Sequence, residues 1–355
     1  MKVFSVKLRT LLLVASGALA FPSLAFNVGF NQGWWKDNYG GQWIDPNYSP
    51  AEVRRILDLA QDAGSKTLRI WLFEGQDPHA LVWKNDLVAG LHPDFLRNFE
   101  DFLMAAKERH IQVYPTLFDG NVLRTVKGGL RNRWWNIMNG KFGARDAFQK
   151  NALAPVLALL YRADLRPGIF GIDVMNEIDA AVVGGKFEKS WASANALSCG
   201  TRDFIRTRRA GQSAIPVTTS VGWPWIPFFS RGAANLILDP NPHPSCVDFW
   251  DLHFYNNSGS IPNCEKIAKV SRDYGKKMYL GEFGQLSKLF SDSMQSKVTK
   301  NFIQNAKACG FSGALAWRLS DNRSGESSEL RFTHEIAGKM RPAFDVIRKW
   351  NFAGR

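Results

Sequence analysis

Two glutamates carry the chemistry that can be read from this chain. One closes GIDVMNE, residues 171–177, and the other sits in YLGEFG, residues 279–284. Each follows an apolar, strand-like run, and buried acids are rare unless they are paired or functional. A lone glutamate at a strand end is ordinarily the partner of a nearby Lys or Arg. Two of them, Glu177 and Glu282, on separate strands are what cleavage of a glycosidic bond requires. One must be protonated to donate to the leaving oxygen, and the other ionised to attack the anomeric carbon. Different surroundings would split their pKa values.

The elements that must hold them recur along the chain. Strand-length apolar runs lie at 26–32, 67–73, 111–119, 169–177, 215–222, 247–256, 277–284 and 312–321, eight in all. Amphipathic stretches separate them. The first begins Ser49-Pro50-Ala51-Glu52, with Pro in the first turn and Glu at the capping-box position, and ends at Gly64. Its residues Val53, Ile56, Leu57 and Ala60 share one helical face. Near-continuous apolar strands alternating with helices predict a parallel sheet covered on both faces. Eight such units predict an α/β protein of the (β/α)8 TIM-barrel class, one domain over 26–355. The alternative is an open doubly wound sheet; no GxGxxG follows the first strand, which weighs against its dinucleotide-binding form.

Chemistry in such a barrel collects at the C-terminal strand ends. Those ends offer Arg69 and Trp71 on strand two, Asp119 on three, and Asn176 and Glu177 on four. His253 and Tyr255 end strand six, two apart and so on one face; Glu282 ends strand seven and Trp317 strand eight. DVMNE followed 282 − 177 = 105 residues later by the Glu of YLGEFG resembles the clan A glycoside hydrolases. Arg69 in LRIW, His253-x-Tyr255 and Trp317 make family 5, which holds endo-β-mannanases and endo-β-glucanases, the most similar, and RIWLF is similar to its mannanase branch. The resemblance covers residues 27–350 and implies a retaining endo-β-glycosidase with no metal or other cofactor. It makes Glu177 the acid/base and Glu282 the nucleophile, held ionised by Arg69 and Tyr255. Asn176 would bind the sugar 2-hydroxyl, His253 would orient the pair or donate to substrate, and Trp317 would floor the reactive subsite. Two positions depart from the pattern: Ile178 stands where many members have Pro, and strand three reads TLFD without the His of the cellulase branch. The substrate, a β-linked mannan or glucan, is therefore not singled out. A transglycosylase would use the same residues; a non-catalytic carbohydrate-binding barrel would ordinarily have lost one glutamate.

Thirteen tryptophans suggest aromatic platforms for sugar rings. Trp34, Trp35, Trp43, Trp71, Trp83, Trp134, Trp135, Trp223, Trp225 and Trp317 all fall at or near strand C-terminal ends, and a cleft lined by several would favour endo action. After strand three a long loop is expected, with Arg124, Lys127, Arg131, Arg133 and Lys141 around Trp134-Trp135. Basic and aromatic together suit an anionic glycan; single-stranded nucleic acid is not expected beside paired glutamates in an exported chain. A second polar rim loop is expected after strand eight.

Residues 1–25 read as a secretory signal peptide: Lys2, Lys7 and Arg9, then the apolar run TLLLVASGALAF, then small residues to Ala25. The run is too short for a permanent bilayer crossing. The protein is expected to be secreted or periplasmic, without stable membrane insertion, and monomeric, with a poly- or oligosaccharide as its partner. The chain carries net charge +13, which becomes 13 − 3 = +10 without that segment and favours anionic neighbours. Export permits disulfides. Cys199, Cys246, Cys264 and Cys309 allow three pairings, of which Cys246–Cys264, bracketing one strand and its loop, is preferred.

Overall fold

All eight apolar runs form strands, and the strands form one parallel sheet. They are β1 (Asn27–Asn31), β2 (Thr67–Trp71), β3 (Gln112–Asp119), β4 (Ile172–Asn176), β5 (Val217–Thr218), β6 (Trp250–Tyr255), β7 (Met278–Gly284) and β8 (Gly313–Ala316). The computed structural model describes residues 26–35, 41–74, 80–125, 128–189, 191–222, 242–285, 291–321, 333–336 and 338–353, without the side chains of 124–131. The proposed signal peptide, Trp223, Trp225 and most of the segment after strand eight lie outside these residues, as do the side chains of Arg124, Lys127 and Arg131.

The hydrogen-bonded order is β5-β4-β3-β2-β1-β8-β7-β6. A parallel bridge between Val221 and Leu252 joins the two ends into a ring. Val221 N donates to Asp251 O at 3.1 Å, and His253 N to Val221 O at 2.9 Å. The chain is a (β/α)8 barrel, and the open-sheet alternative is set aside.

Helices cover the outside as the apolar spacing predicts. In α1 (Pro50–Asp62) the Ser49 side chain caps the first turn, and Val53, Ile56, Leu57, Leu59 and Ala60 are buried. In α2 (Pro93–Glu108) Phe95, Phe99 and Phe102 turn inward, and Phe99 and Phe102 stack at 6.3 Å. Truncating one such phenylalanine to Ala costs about 3–5 kcal/mol. Between β3 and β4, α3 (Ala154–Leu160) buries Val156, Leu157, Leu159 and Leu160. The outer layer continues with α4 (Trp191–Thr207), α5 (Cys264–Tyr274), α6 (Asp292–Ala308) and α7 (Pro342–Phe352). Inside the ring, Tyr114, Phe249 and Leu315 pack with Phe170 and Tyr279, filling the bore below the site with aromatic rings.

Two expectations are corrected. The basic segment after β3 is helical rather than a loop, with helices Gly120–Thr125, Gly128–Asn139 and Ala144–Phe148. Its described cations are engaged: Arg133 pairs with Asp86 at 2.7 Å, and Lys141 with Glu188. A hairpin, Leu81–Lys84 with Leu87–Leu91, also stands in the β2–α2 connection. Asn85 and Asp86 turn it with φ of 50° and 59°, the left-handed pair that such two-residue turns demand. Finally, the disulfides are Cys199–Cys246 and Cys264–Cys309. Cys246 cannot reach Cys264, because α5 lies between them. Its far end is followed by Lys276, whose Nζ donates to Pro244 O, beside Cys246. An 11-residue helix is about 16 Å long, against a disulfide limit of about 7 Å between Cα atoms. Among the described residues no helix is long and apolar enough to cross a membrane.

Candidate active site

The strand C-terminal ends converge on Arg69, which is fully buried at mid-β2. Its Nη1 donates to Asn31 Oδ1 at 3.0 Å and Glu282 Oε1 at 2.5 Å. Its Nη2 donates to Asp173 Oδ2 at 2.6 Å and Asn176 Oδ1 at 2.8 Å. The Trp71 ring lies 4.5 Å from the guanidinium carbon, adding a cation–π contact. One cation thus ties β1, β2, β4 and β7 together, and deleting it would leave the buried Asp173 without a cationic partner, at about 3–5 kcal/mol.

Glu282, inside β7, also accepts from Tyr255 Oη at 2.6 Å, so β6 and β2 together fix both its oxygens. Glu177 follows the last residue of β4 and turns the chain into a short helix with φ 46°, a left-handed conformation that costs a non-glycine residue about 1–2 kcal/mol. Ser220 Oγ holds its N–H at 3.1 Å. Its side chain fits only because residue 222 is glycine: a Cβ there would stand 1.9 Å from the Glu177 carboxyl carbon. Glu177 accepts from Asn121 Nδ2 through a short hydrogen bond and faces His253 Nδ1 at 3.1 Å. The ligating atoms of Glu177, His253 and Glu282 all lie within 4.8 Å of one another. Asn176 Nδ2 donates to Asp119 Oδ1 at 3.1 Å.

Trp34, Trp71 and Trp317 form a cluster of their own with Tyr255 beside it. Trp317 meets Trp34 and Trp71 edge to face, at 5.8 and 5.2 Å. All ten expected site residues therefore share one end of the barrel. Trp71 is 1 % exposed and supports Trp317 rather than offering a face of its own. Other tryptophans read as platforms are not: Trp35, Trp43 and Trp134 are buried in the main core, and Trp83 and Trp135 pack against it.

The cluster's electrostatics follow from burial and proximity. Burial would lower the His253 pKa, but Glu282, Asp251 and Glu177 outweigh it and push it up to about 10. Burial raises Glu282 above the usual carboxylate range, and Glu177 adds to this against the pull of His253 and Arg69. Burial also acts upward on Glu177, but hydrogen bonds from His253 and Asn121 overcome it and hold its carboxyl below the usual range. These directions favour His253 over Glu177 as the protonated member of the pair. Asp119 is pushed up to about 7, by burial first and then by Glu177. Arg69 and His253 both face the paired glutamates from within the cluster.

The residues missing from the sequence reading are Asn31, Asn121, Asp173, Ser220 and Asp251. Asp173 and Asp251 left a signal: each is an acid inside an apolar run, at a position the structure buries almost completely.

No protein-family model matches the chain, and no curated protein matches it. Solved structures do. The β-mannanase of the blue mussel Mytilus edulis aligns at 19% identity over 92% of both chains, with a TM-score of 0.63. The β-1,4-D-mannanase of Cryptopygus antarcticus aligns at 16% identity over 91% of this chain and 90% of its own, with a TM-score of 0.65. A variant glycoside hydrolase of family 5, subfamily 18, from Streptomyces cattleya, solved with Manβ1-4GlcNAc, aligns at 15% identity over 92% of this chain and 81% of its own, with a TM-score of 0.67. The chain is built on the same (β/α)8 barrel fold as these glycoside hydrolases.

Proposed function

We propose that this protein is a retaining glycoside hydrolase acting on a β-linked, mannan-type polysaccharide. The observation that carries the reading is the approach of Glu177 and Glu282, from β4 and β7, to within 4.8 Å in a buried hydrogen-bonded cluster. Retaining pairs stand about 5–5.5 Å apart, whereas inverting pairs stand about 6.5–9.5 Å apart to admit a water. Glu282, fixed by Arg69 and Tyr255, attacks the anomeric carbon and forms the glycosyl ester. The leaving oxygen takes a proton delivered through Glu177. Water, deprotonated by the same group, then hydrolyses the ester. Asn176, itself fixed by Arg69 and Asp119, is placed to bind the sugar 2-hydroxyl, and Trp317, braced by Trp34 and Trp71, lies under the ring.

The mannan assignment rests on what the neighbouring structures are named for, together with RIWLF. Export, to a periplasm or beyond, rests on the character of residues 1–25 and on the two disulfides. The test incubates wild type and Glu282→Gln with β-1,4-mannan, β-1,4-glucan and an anionic β-glycan, following reducing ends and product length. Wild type should release oligosaccharides from mannan, and the variant should lose on the order of 10³-fold or more. Unaltered binding with no release from any glycan would instead favour a carbohydrate-binding barrel.

A further inference from the structure

We propose that Asp251 is a positioning residue that keeps a proton on His253, and that His253 and Glu177 together hold the one proton the leaving oxygen takes. The inference rests on Glu177 being the acid/base group. It starts from an acid two residues before His253 on β6, on the same side of the strand and almost fully buried.

The imidazole meets a carboxylate at each nitrogen. Nε2 stands 3.3 Å from Asp251 Oδ1; Nδ1 stands 3.1 Å from Glu177 Oε1 and 3.6 Å from Glu282 Oε2. Glu177 can take a hydrogen bond from Nδ1 in either ring form, so what singles out the cation is the charge of the three carboxylates around it. The Asp251 approach lies off the hydrogen-bond line, so its hold on His253 is charge attraction. Asp251 is itself fixed, because Tyr114 Oη donates to Oδ2 at 2.5 Å. Its place is kept open by a missing side chain: a Cβ at Gly281 would stand 1.7 Å from Oδ1. The charged groups facing His253 are thus Asp251 on β6, Glu177 after β4 and Glu282 on β7. The other cation, Arg69 on β2, is engaged by Glu282 and Asp173. Three carboxylates around one imidazole, in a site from which water is largely excluded, favour its protonated form.

The proton balance closes. At rest Glu177 and Glu282 are carboxylates and His253 is the cation, a charge of −1. As Glu282 bonds to the anomeric carbon and the glycosidic C–O bond breaks, the proton on Nδ1 passes to Glu177 Oε1, and a proton from Glu177 goes to the leaving oxygen. Glu282 is then a neutral ester, His253 neutral and Glu177 a carboxylate, again −1. Loss of the Glu282 charge removes the strongest support for the His253 cation, so esterification itself releases the proton. Water attack on the ester returns it to the pair.

The test uses the whole protein, wild type and Asp251→Asn. Imidazole nitrogen NMR, with His253 assigned through His253→Asn, is recorded from pH 5 to 10 beside kcat/KM on β-1,4-mannan. Wild-type His253 should stay doubly protonated through pH 8. In Asp251→Asn its titration should fall by about 1–3 units, and the alkaline limb of kcat/KM should fall with it. A wild-type His253 that is neutral at pH 7, or an active Asp251→Asn with both curves unmoved, overturns the proposal; the wild-type titration decides even if the variant does not fold. A protonated His253 in a protein inactive on mannan, glucan and the anionic glycan overturns the proton's destination and the glycosidase reading with it, a result distinct from an active enzyme whose Asp251 does nothing.

Discussion

Asp119 shows at the scale of one residue how the site is held against its own electrostatics. Its carboxyl titrates near 7 in the folded chain against an ordinary value of 3.8. The folded state therefore keeps a proton where the unfolded chain has released it. The stabilisation from this group is complete below about pH 4 and disappears as pH rises through about 7. Asp119→Asn keeps an Oδ1 to accept from Asn176 and Asn121 while removing the buried charge. The variant should gain on wild type by about 2–4 kcal/mol between pH 4 and 8, seen as a Tm difference that widens with pH. A Tm difference equal at both ends would refute the assignment. Residues of this kind were legible in the sequence where a charged side chain stood within or just after an apolar run, as Arg69, Glu177, His253 and Glu282 do. Asn121 and Ser220 were not, because a short polar residue in a connection has no pattern of its own. The site is recognised only when the fold brings them to Glu177. The carboxylates that surround His253 were also not legible as a group, since Asp251, Glu177 and Glu282 come together only in the fold.

At the scale of the element, the strands position the site through what they omit as well as what they carry. Gly222, just beyond β5, leaves the space that the Glu177 carboxyl fills. Gly222→Ala should move that carboxyl by about 1 Å and lower kcat by on the order of 10²-fold while shifting Tm by only a few degrees. An unchanged kcat would show that the carboxyl relaxes without consequence. The eight strands and the first helix were legible because burial on both faces writes a long apolar run and burial on one face writes a 3.6-residue period. The segment after β3 was misread because its basic residues and glycines hide a helix whose apolar face, with Trp134 and Ile137, packs inward. The hairpin was legible in principle at Asn85-Asp86. The disulfides were not, since pairing depends on which helix ends meet.

For the whole molecule, charge and ring geometry set the remaining behaviour. The His253 cation, with its folded pKa pushed up to about 10 against an ordinary 6.5, stabilises fully below about pH 6.5 and progressively less as pH rises toward 10, so alkali should loosen the protein at this buried cluster. Individual cations are engaged in pairs such as Arg54–Asp101 and Arg206–Asp248, but the excess of Lys and Arg over Asp and Glu remains and favours anionic neighbours.

The ring itself is closed unevenly. Seven junctions are made by paired strands, while the eighth, between the two-residue β5 and β6, rests on the hydrogen bonds of Val221 N to Asp251 O and of His253 N to Val221 O. A seam this thin is where the barrel would first breathe, and the backbone of His253 is one of its stitches. Deuterium should enter the Val221 and His253 amides well before those of β2 and β3. Catalysis should also fade on warming some degrees below the loss of helical circular dichroism. Coincident loss of both signals, with uniformly slow exchange around the ring, would show that the seam is as tight as the rest. An early fade would mean that the protein's working temperature is set by one edge of its barrel and not by its core.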